Sequence, residues 1–302
     1  MRAVQFAEYG GPEVLQPVEV PEPHAGPGQI RVAVRAAGVN PMDWKVRSGA
    51  MRRMMPLTLP AIPGIDVAGV VDEVGAGVTG VGVGDEVFGF ATSDGYAEYA
   101  VLEHFAAKPP KMSWEEAAGL PVVAEAAVRS LDLLGVREGD IVLVNGVSGG
   151  VGQTAAQIAH ARGATVLGTA GPANHDYLRA LGVTPTSYGP GLVDRVRDIS
   201  PDGVDEALDV AGKGALPDLI EITGTPDKVL TIADPDAQQH GVRMTSGAQG
   251  RSYQALDEAV RLFERGEFKL PVAQTFNLDQ AAEAQEISQS GHVHGKLVLR
   301  VA

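Results

Sequence analysis

A glycine-rich turn between an apolar run and a helix of small residues constrains the fold of this chain more than any other stretch. Residues 140–160 read DIVLVNGVSGGVGQTAAQIAH. Ile141–Val144 is apolar and mostly β-branched, and it is long enough for one buried parallel strand. After the turn, residues 154–159 place small and apolar side chains at helical spacing. A strand, a turn and a helix in this order predict part of a parallel α/β sheet.

The glycines of this turn predict a phosphate-binding site. They recur at every third position, as Gly146, Gly149 and Gly152, with Gly150 between them. Without side chains the backbone can approach a pyrophosphate, and the free N–H groups of the following helix point at it. The strict pattern G-x-G-x-x-G does not fit, because its first glycine would fall on Val147. An ordinary tight connection is the alternative, but the correct flanks on both sides favour a dinucleotide.

Composition excludes several classes of function. The 302 residues indicate about two domains. A formal net charge of −14 argues against a nucleic-acid surface, which needs a basic footprint. There is no cysteine, and therefore no disulfide, no thiolate nucleophile and no cysteine-bound zinc. No apolar run is long enough to span a membrane, and residues 1–9 lack the features of a signal peptide, so we expect a cytoplasmic protein.

The predicted elements change character near Ser113. Before it, short strands separated by turns are typical of a small antiparallel barrel or sandwich. The candidate strands there are Ile30–Ala36, Val67–Glu73, Asp85–Phe90 and Tyr96–Val101. A last strand, Lys296–Val301, has a β-type pattern with no helix before it, and we expect it to return to this first domain.

After Ser113, strands alternate with helices, which predicts βαβ units and a parallel sheet with helices on both faces. The predicted helices are Glu115–Leu120, Ala124–Leu134, Asn174–Leu181, Leu192–Ile199 and Arg251–Glu264. The predicted strands after Ile141–Val144 are Thr165–Thr169, Thr184–Tyr188, Ala207–Val210, Val229–Ala233 and Arg243–Ser246.

A missing carboxylate indicates which dinucleotide binds. In NAD-binding sheets of this type, an acidic residue about 20 positions past the glycines takes the ribose hydroxyls. Between Gly152 and Asp176 this chain has no Asp or Glu, and the second strand ends in the neutral sequence GTAG at residues 168–171. His175 and Arg179 follow as nearby donors. A carboxylate would repel a 2′-phosphate, so its absence favours NADPH over NADH.

With these observations the chain resembles the medium-chain dehydrogenase/reductase superfamily, and within it the zinc-independent quinone oxidoreductases. The passages that carry the resemblance are the glycine turn, Gly38–Gly49 (GVNPMDWKVRSG), Pro63–Gly89 (PGIDVAGVVDEVGAGVTGVGVGDEVFG), Gly95–Val101 (GYAEYAV) and Gly291–Val298 (GHVHGKLV). The resemblance implies an α/β fold, with a Rossmann doubly wound parallel sheet and a β-rich GroES-like barrel domain. It implies a GroES-like domain of residues 1–122 and 268–302, a Rossmann domain of residues 123–267, and a homodimer.

The resemblance also implies that no metal takes part. Zinc-dependent relatives hold their metal with cysteines and a Gly-His-Glu segment, whereas Gly64-Ile65-Asp66 stands at the corresponding place here. Without a Lewis acid, an alcohol or a simple ketone is hard to activate, because nothing stabilises the developing alkoxide. Quinones and conjugated enones accept hydride without that help, since the charge spreads onto an aromatic or enolate oxygen.

Three catalytic candidates come from the first of these passages. By resemblance, Asn40 contacts the nicotinamide or the substrate carbonyl, and Asp43 lies in the same loop. Lys45 is a nearby cation that stabilises an oxyanion or holds a phosphate. The alternative is that Asp43 only fixes the loop and that Lys45 is solvated.

The cofactor contacts follow from the glycine turn and from the resemblance. They are Asn40, Gly146, Ser148, Gly149, Gly150, Val151, Gly152, Gly171, His175, Tyr188 and Ala233. Gly171, His175 and Tyr188 correspond to family positions near the 2′-phosphate. His175 replaces a lysine of some members, and Ala126 replaces a threonine commonly found beside the nicotinamide.

These features predict an NADPH-dependent oxidoreductase that transfers hydride to a quinone or another α,β-unsaturated carbonyl without zinc. Two alternatives stay open. One is an enoyl or alkenal double-bond reductase of a biosynthetic pathway, and the other is a sensor or structural protein that binds NADPH with little turnover. A small molecule is the expected partner, and neither nucleic acid nor a membrane is expected to bind.

Overall fold

The computed structural model describes residues 1–291 and 293–301 and divides the chain into two compact units. The β-rich unit comprises Met1–Val122 and Leu270–Ala302, and the parallel-sheet unit comprises Val123–Lys269. The boundaries expected from sequence lie at 122/123 and 267/268, so the second differs by two residues. Of the described residues, none belongs to a helix that combines the length and the apolar character needed to cross a bilayer.

The secondary-structure elements are numbered along the chain. The strands are β1 (Arg2–Gln5), β2 (Gln16–Glu19), β3 (Ile30–Val39), β4 (Asp66–Val74), β5 (Glu86–Ser93), β6 (Tyr99–Ala107), β7 (Ile141–Asn145), β8 (Thr165–Thr169), β9 (Val183–Thr186), β10 (Glu206–Asp209), β11 (Val229–Thr231), β12 (Arg243–Met244), β13 (Val272–Asn277) and β14 (Lys296–Arg300). The helices are α1 (Pro41–Arg47), α2 (Trp114–Gly119), α3 (Pro121–Leu134), α4 (Gly150–Ala161), α5 (His175–Ala180), α6 (Leu192–Ile199), α7 (Leu216–Thr223), α8 (Ala255–Arg265) and α9 (Ala281–Ser290).

The β-rich unit is built around β3, which pairs along both of its edges. One edge lies antiparallel to β4. The first half of the other edge pairs with β6, and the second half pairs with β14. Because β4, β5 and β6 are consecutive neighbours, the sheet closes on itself as a barrel. Strand β14 is thus the returning strand that the sequence predicts.

Several elements of this unit are not visible in the sequence pattern. The hairpin β1–β2, strand β13 and helices α1 and α9 are absent from the predicted elements. Helix α9 corrects the expectation that no helix precedes the final strand. Helix α1 is seven residues long, too short for apolar periodicity to indicate a helix. In α9 the sequence AAEAQEISQS has few large apolar side chains, so its buried face is carried by residues such as Ala281 and Ala284.

The parallel-sheet unit has the topology that the glycine turn predicts. Its strands lie in the order β12-β11-β10-β7-β8-β9, and each neighbouring pair is parallel. Counted from β7 as the first strand, this is the doubly wound Rossmann order 3-2-1-4-5-6. The direction of winding reverses between β7 and β10. Ligands of such sheets bind at this switch point, outside the carboxyl ends of the strands.

The boundaries of this unit differ from prediction mainly where strands end early. Strand β9 ends at Thr186 and β11 at Thr231, two residues before the predicted ends. Helix α8 begins at Ala255 rather than at Arg251. The amide of Ser252 donates to the carboxylate of Glu125 at 3.2 Å, so this segment is held by a side chain outside the helical hydrogen-bond pattern.

Candidate functional site

The glycine turn joins β7 to α4 in a conformation that requires glycine at two of its positions. Gly146 has φ +87°, in the left-handed region, and a Cβ there would lie 2.9 Å from the Cβ of Ala211. A Cβ on Gly152 would lie 2.7 Å from the Cα of Val147, and closer still to the carbonyl oxygen of Gly146. Both glycines are therefore demanded by the fold, because they let α4 pack against the turn.

Gly149 is different, because the fold does not require it. It is the N-cap of α4, its φ is −80°, and a Cβ there would meet only the carbonyl oxygen of Gly146 at 3.6 Å. That distance is ordinary van der Waals contact. The first turn of α4, which carries Gly150, Val151 and Gly152, has amides with no carbonyl partner in the preceding turn. Backbone without a side chain in front of free amides is the arrangement that receives a phosphate.

A side chain that the sequence does not single out holds this turn in place. Gln153 is buried, and its amide nitrogen donates to the carbonyl of Ser148 at 2.6 Å. Its amide oxygen accepts from the hydroxyl of Tyr177 at 2.8 Å. The carbonyl of Ser148 therefore points into the protein. The only sequence signal for this role is a polar residue among the small residues of the helix.

The three positions near the expected 2′-phosphate follow two neighbouring strands. Gly171 and His175 come after β8, and Tyr188 comes after β9. A Cβ on Gly171 would have no atom within 4 Å, and the Tyr188 side chain is exposed. An imidazole nitrogen of His175 lies 3.2 Å from the carbonyl oxygen of Ala170. The structure thus brings the loops with these residues to the same edge of the sheet.

An arginine of α6 binds the backbone of the loop that carries Tyr188. The guanidinium of Arg195 donates to the carbonyls of Ser187 and Pro190 at 2.8 Å and to that of Gly189 at 3.1 Å. Three carbonyls on one planar group fix the course of the loop, although the tyrosine side chain itself faces solvent.

Strand β8, after which an acidic residue is expected in NAD-binding sheets, ends at Thr169. Its side chain is buried, and its hydroxyl donates to the amide oxygen of Asn145 at 2.6 Å. Asp176, the first carboxylate after it, is exposed and forms an ion pair with Arg179 at 2.7 Å. The strand end therefore presents no carboxylate of its own.

In the β-rich unit, two of the three catalytic candidates lie in a buried polar cluster. The cluster consists of Asn40, Asp43, Asp66, Tyr96 and Lys296, all buried, and we call it the barrel cluster. Asn40 and Asp43 stand together at the start of α1, whereas the other three are far apart in sequence and are brought to them by the barrel topology.

Asp43 is a member of the barrel cluster whose pKa is strongly raised. One of its carboxylate oxygens accepts from the amide of Asn40 and from the hydroxyl of Tyr96, both at 2.8 Å. The first of these bonds also caps α1. Burial raises the pKa of Asp43. The two hydrogen bonds and the charge of Lys296 oppose this shift only in part, and the resulting pKa is about 7. Burial and the neighbouring Asp43 raise the pKa of Tyr96 well above its usual value.

Asn40 connects the other two charged members of the cluster. Its amide nitrogen donates to Asp66 at 2.9 Å, and its amide oxygen accepts from the ammonium of Lys296 at 2.6 Å. The ammonium lies 3.6 Å from the Asp66 carboxylate. The other oxygen of Asp66 accepts from the amide of Val122 at 3.0 Å. Burial lowers the pKa of Lys296, although Asp66 and Asp43 oppose that shift.

Lys45, the third catalytic candidate, lies outside the barrel cluster in the contacts that the structure describes. It is half-buried, and its ammonium lies 5.7 Å from the centroid of the Trp44 ring. The sequence reasoning missed Tyr96 and Lys296. The available signal for Lys296 is a lysine directly before the apolar residues Leu297–Leu299 of the final strand.

Two family models match the chain. Residues 26–111 match the alcohol dehydrogenase GroES-like domain, and residues 188–299 match the zinc-binding dehydrogenase domain. Among curated proteins, quinone oxidoreductase of Rattus norvegicus is 32% identical over 99% of this chain and 97% of its own length. The spectinabilin polyketide synthase system protein NorB of Streptomyces orinoci is 34% identical over 98% of this chain, which covers 14% of that protein.

Solved structures with the same fold include three that are similar over the full chain. Quinone oxidoreductase from Coxiella burnetii is 31% identical with a TM-score of 0.88, covering 100% of this chain and 99% of its own. A protein described as an NAD-dependent alcohol dehydrogenase is 32% identical with a TM-score of 0.88 and full coverage of both chains. A mycobacterial protein complexed with NADPH is 25% identical with a TM-score of 0.86, again with full coverage of both. With a Rossmann sheet, a GroES-like barrel and full-length relatives of this kind, the chain belongs to the quinone oxidoreductase family of the medium-chain dehydrogenase/reductase superfamily, a family of oxidoreductases.

Proposed function

We propose that this protein is an NADPH-dependent reductase that transfers hydride to a quinone or another α,β-unsaturated carbonyl without zinc. The observation that carries the proposal is the set of residues at the carboxyl ends of β7 and β8. There an open glycine turn at Gly149 stands before the first amides of α4, and the adjacent strand ends at the buried Thr169 without a carboxylate. The first feature suits a pyrophosphate and the second suits a ribose that carries a phosphate.

The preference for NADPH depends on the loops after β8 and β9. Gly171 has open space around it, and Tyr188 and His175 follow the same two strands. A solved relative carries NADPH, whereas another is described as NAD-dependent, so the preference has to be measured on this chain. We expect the Kd for NADPH to be at least about tenfold lower than that for NADH, equivalent to one charge-assisted hydrogen bond. Equal affinities would contradict the assignment of the 2′-phosphate loops.

The residues at the place of the zinc segment do not form a zinc site. Asp66 already accepts hydrogen bonds from Asn40 and Val122 and lies beside the ammonium of Lys296. A bound cation would have to displace that ammonium, and no thiolate is available to compensate. Substrates whose oxygen anion is delocalised therefore suit this protein, because they need no Lewis acid.

The bound nicotinamide supplies the hydride, and the protein positions the acceptor. In the β-rich unit, Asn40 is held rigidly by Lys296 and Asp66, so its amide has a fixed orientation. Asp43 caps α1 and fixes the backbone at Asn40. Lys45 is the third candidate and is a cation near the surface. The role proposed for Asn40 is orientation of the acceptor, with water as the source of the proton.

The experiment is a measurement of NADPH oxidation with four acceptors. They are 1,4-benzoquinone, phenanthrenequinone, an alkenal and a cyclic enone. Turnover with the quinones that is unchanged by a chelator supports the proposal. Turnover restored by added zinc after chelation contradicts it, and so does the absence of turnover with every acceptor in a protein that binds NADPH at micromolar concentration. That last result is the one expected of a sensor or structural protein.

An enoyl reductase is the second candidate, and one observation favours it. The polyketide synthase protein NorB aligns with 98% of this chain at 34% identity. An enoyl thioester reduced faster than any quinone would make this second candidate the better one. Homodimer formation and a cytoplasmic location complete the proposal. The first is checked by sedimentation of the purified protein, and the second by fractionation of the source cells.

A further inference from the structure

Four neighbouring strands of the parallel sheet each end in a buried polar residue. Strands β11, β10, β7 and β8 end at Thr231, Asp209, Asn145 and Thr169. These residues stand directly opposite one another across the three strand pairs. Their exposed fractions are 4% for Asn145 and 0% for the other three. We call this row the edge chain.

The side chains of the edge chain form one continuous series of hydrogen bonds. The hydroxyl of Thr169 donates to Asn145 Oδ1 at 2.6 Å. Asn145 Nδ2 donates to Asp209 Oδ1 at 2.8 Å. From the other side, the hydroxyl of Thr231 donates to Asp209 Oδ2 at 2.7 Å.

Asp209 determines the direction of every bond in this series. An ionised carboxylate can only accept, so the amide of Asn145 must turn its nitrogen toward Asp209. Its oxygen then faces Thr169, whose single proton must point at it. Thr231 likewise must point its proton at Asp209. Both threonine oxygens keep their lone pairs, and with the protons pointing along the series these lone pairs are free to accept hydrogen bonds from backbone amides.

Backbone amides of three loops use these acceptors. Gly146 donates its amide to the oxygen of Thr169 at 3.0 Å. Ala233 and Asp234 both donate to the oxygen of Thr231 at 3.0 Å. Ala211 and Gly212 donate to Asp209 Oδ1 at 3.1 and 3.0 Å.

The same loops also touch each other at positions of close approach. A Cβ on Gly146 would lie 2.9 Å from the Cβ of Ala211, and a Cβ on Gly212 would lie 2.9 Å from the carbonyl oxygen of Ala233. The three loops after β7, β10 and β11 are therefore bonded to one row of side chains and pack against each other, with Asp209 at their centre. These loops lie at the carboxyl ends of the strands on both sides of the switch point.

We propose that Asp209 is a positioning residue for the cofactor, acting through the edge chain on the loops that receive the dinucleotide. This inference rests on the proposed binding of NADPH. Asp209 itself is wholly buried, so it acts on the ligand only through the loop backbone. A merely structural aspartate would affect stability alone, whereas this one affects the affinity for the cofactor as well.

The test compares Asp209→Asn with the wild-type protein. The new amide keeps the shape but places an NH₂ group against one of its former donors. The oxygen will stay toward the three donors Asn145, Ala211 and Gly212, so the NH₂ group faces the hydroxyl of Thr231. The hydroxyl oxygen of Thr231 already accepts from two backbone amides, and the hydroxyl proton of Thr231 loses its acceptor. We expect the Kd for NADPH, measured by the change in its fluorescence, to rise by about tenfold or more.

A second pair of variants keeps the proposal testable if Asp209→Asn does not fold. Thr231→Val removes the hydroxyl with almost no change in volume, and Thr231→Ser retains it. The valine variant should weaken NADPH binding severalfold, and the serine variant should restore affinity to within about twofold of the wild type. Val142→Ala is the stability control, because Val142 is buried in β7 away from the edge chain. It should lower Tm and leave the Kd unchanged.

The outcomes separate this inference from the proposed function. If the wild-type protein binds neither NADPH nor NADH, the proposed function fails and this inference fails with it. If the wild type binds NADPH and the Asp209→Asn and Thr231→Val variants, although less stable, bind it equally well, only the role of the edge chain is overturned. Equal weakening by Val142→Ala would also overturn it, because the effect would then follow stability alone.

Discussion

The barrel cluster and the edge chain are both buried polar groups at a proposed functional site, but they are assembled in opposite ways. The barrel cluster joins residues 40, 43, 66, 96 and 296, which come from four separate places in the chain, since Asn40 and Asp43 belong to the same helix start. It contains two carboxylates and one ammonium. The edge chain joins the last residues of four adjacent parallel strands and contains one carboxylate.

The difference lies in what compensates the buried charge. In the edge chain, Asp209 accepts four hydrogen bonds, two from side chains and two from backbone amides. In the barrel cluster, Asp43 accepts two, and burial raises its pKa to about 7. Strand register thus places four donors around a carboxylate at a sheet edge. A cluster gathered by barrel closure leaves one carboxylate that changes its protonation near neutral pH.

The largest expected effect comes from removing the single cation of the barrel cluster. Lys296→Met leaves Asp66 and Asn40 without their buried partner, and it should lower the free energy of unfolding by about 3–5 kcal/mol. Chemical denaturation of the full chain measures this change. Lys111→Met, at an exposed position, is the control and should change stability by less than about 0.5 kcal/mol. A loss for Lys296→Met as small as that of the control would show that the ammonium is not needed to compensate Asp66.

The next effect is a dependence of stability on pH that Asp43 introduces. Its pKa in the folded protein, about 7, lies above the ordinary value of 3.8, so the folded state binds the proton more tightly. Its contribution to stability is fully present below the ordinary pKa and is lost as the pH rises toward 7. The slope approaches about 1.4 kcal/mol per pH unit inside that window. Asp43→Asn should remove this slope, and denaturation curves between pH 4 and 8 compare the two proteins.

An unchanged pH profile in Asp43→Asn would mean that the carboxylate stays ionised throughout this range. The two regions would then be alike, since each would hold a fully compensated carboxylate.

In the parallel-sheet unit, two glycines of the turn are expected to serve different purposes: Gly152 is needed for packing, and Gly149 is needed for binding the cofactor. Gly152→Ala brings a Cβ against the backbone of Gly146 and Val147 and should destabilise the protein by about 1–3 kcal/mol. Gly149→Ala makes only an ordinary contact at 3.6 Å, and the cost is limited to placing alanine at an N-cap, so stability should fall by no more than about 1 kcal/mol. NADPH affinity should nevertheless fall by about tenfold in the Gly149 variant, because the ligand approaches the backbone there.

Titration with NADPH and thermal denaturation, applied to both glycine variants, test this separation. If Gly149→Ala binds NADPH as tightly as the wild type, the pyrophosphate does not approach this part of the turn.

The smallest expected effect comes from the hydroxyl of Tyr96. Tyr96→Phe removes a donor to Asp43, and that hydrogen bond lowers the pKa of the carboxyl group. The pKa of Asp43 should therefore rise further, and the midpoint of the pH-dependent loss of stability should move upward. The accompanying change in stability is about 1 kcal/mol. A downward movement of the midpoint would contradict the proposed direction of the hydrogen bond.

Much of the fold could be predicted from the sequence, because local pattern and topology agree in the parallel-sheet unit. The apolar run at Ile141, the glycine spacing and the alternation of elements suffice to predict a Rossmann sheet, and α6 has the predicted bounds. In the β-rich unit, strands β3 to β6 overlap their predicted ranges, whereas α1, α9 and β13 could not be recognised. Those elements are short or poor in apolar periodicity, so tertiary packing decides their conformation.

For the candidate site, the sequence by itself determined the glycine turn, the neutral end of β8 and the lack of cysteine. These are properties of single positions, which need no knowledge of what lies nearby. Only the tertiary structure decided that Lys296 lies against Asn40, that Tyr96 donates to Asp43, and that Asp209 directs the bonds of the edge chain. The physical reason is that protonation and hydrogen-bond direction depend on burial and on neighbours, and the fold brings those neighbours from distant parts of the chain.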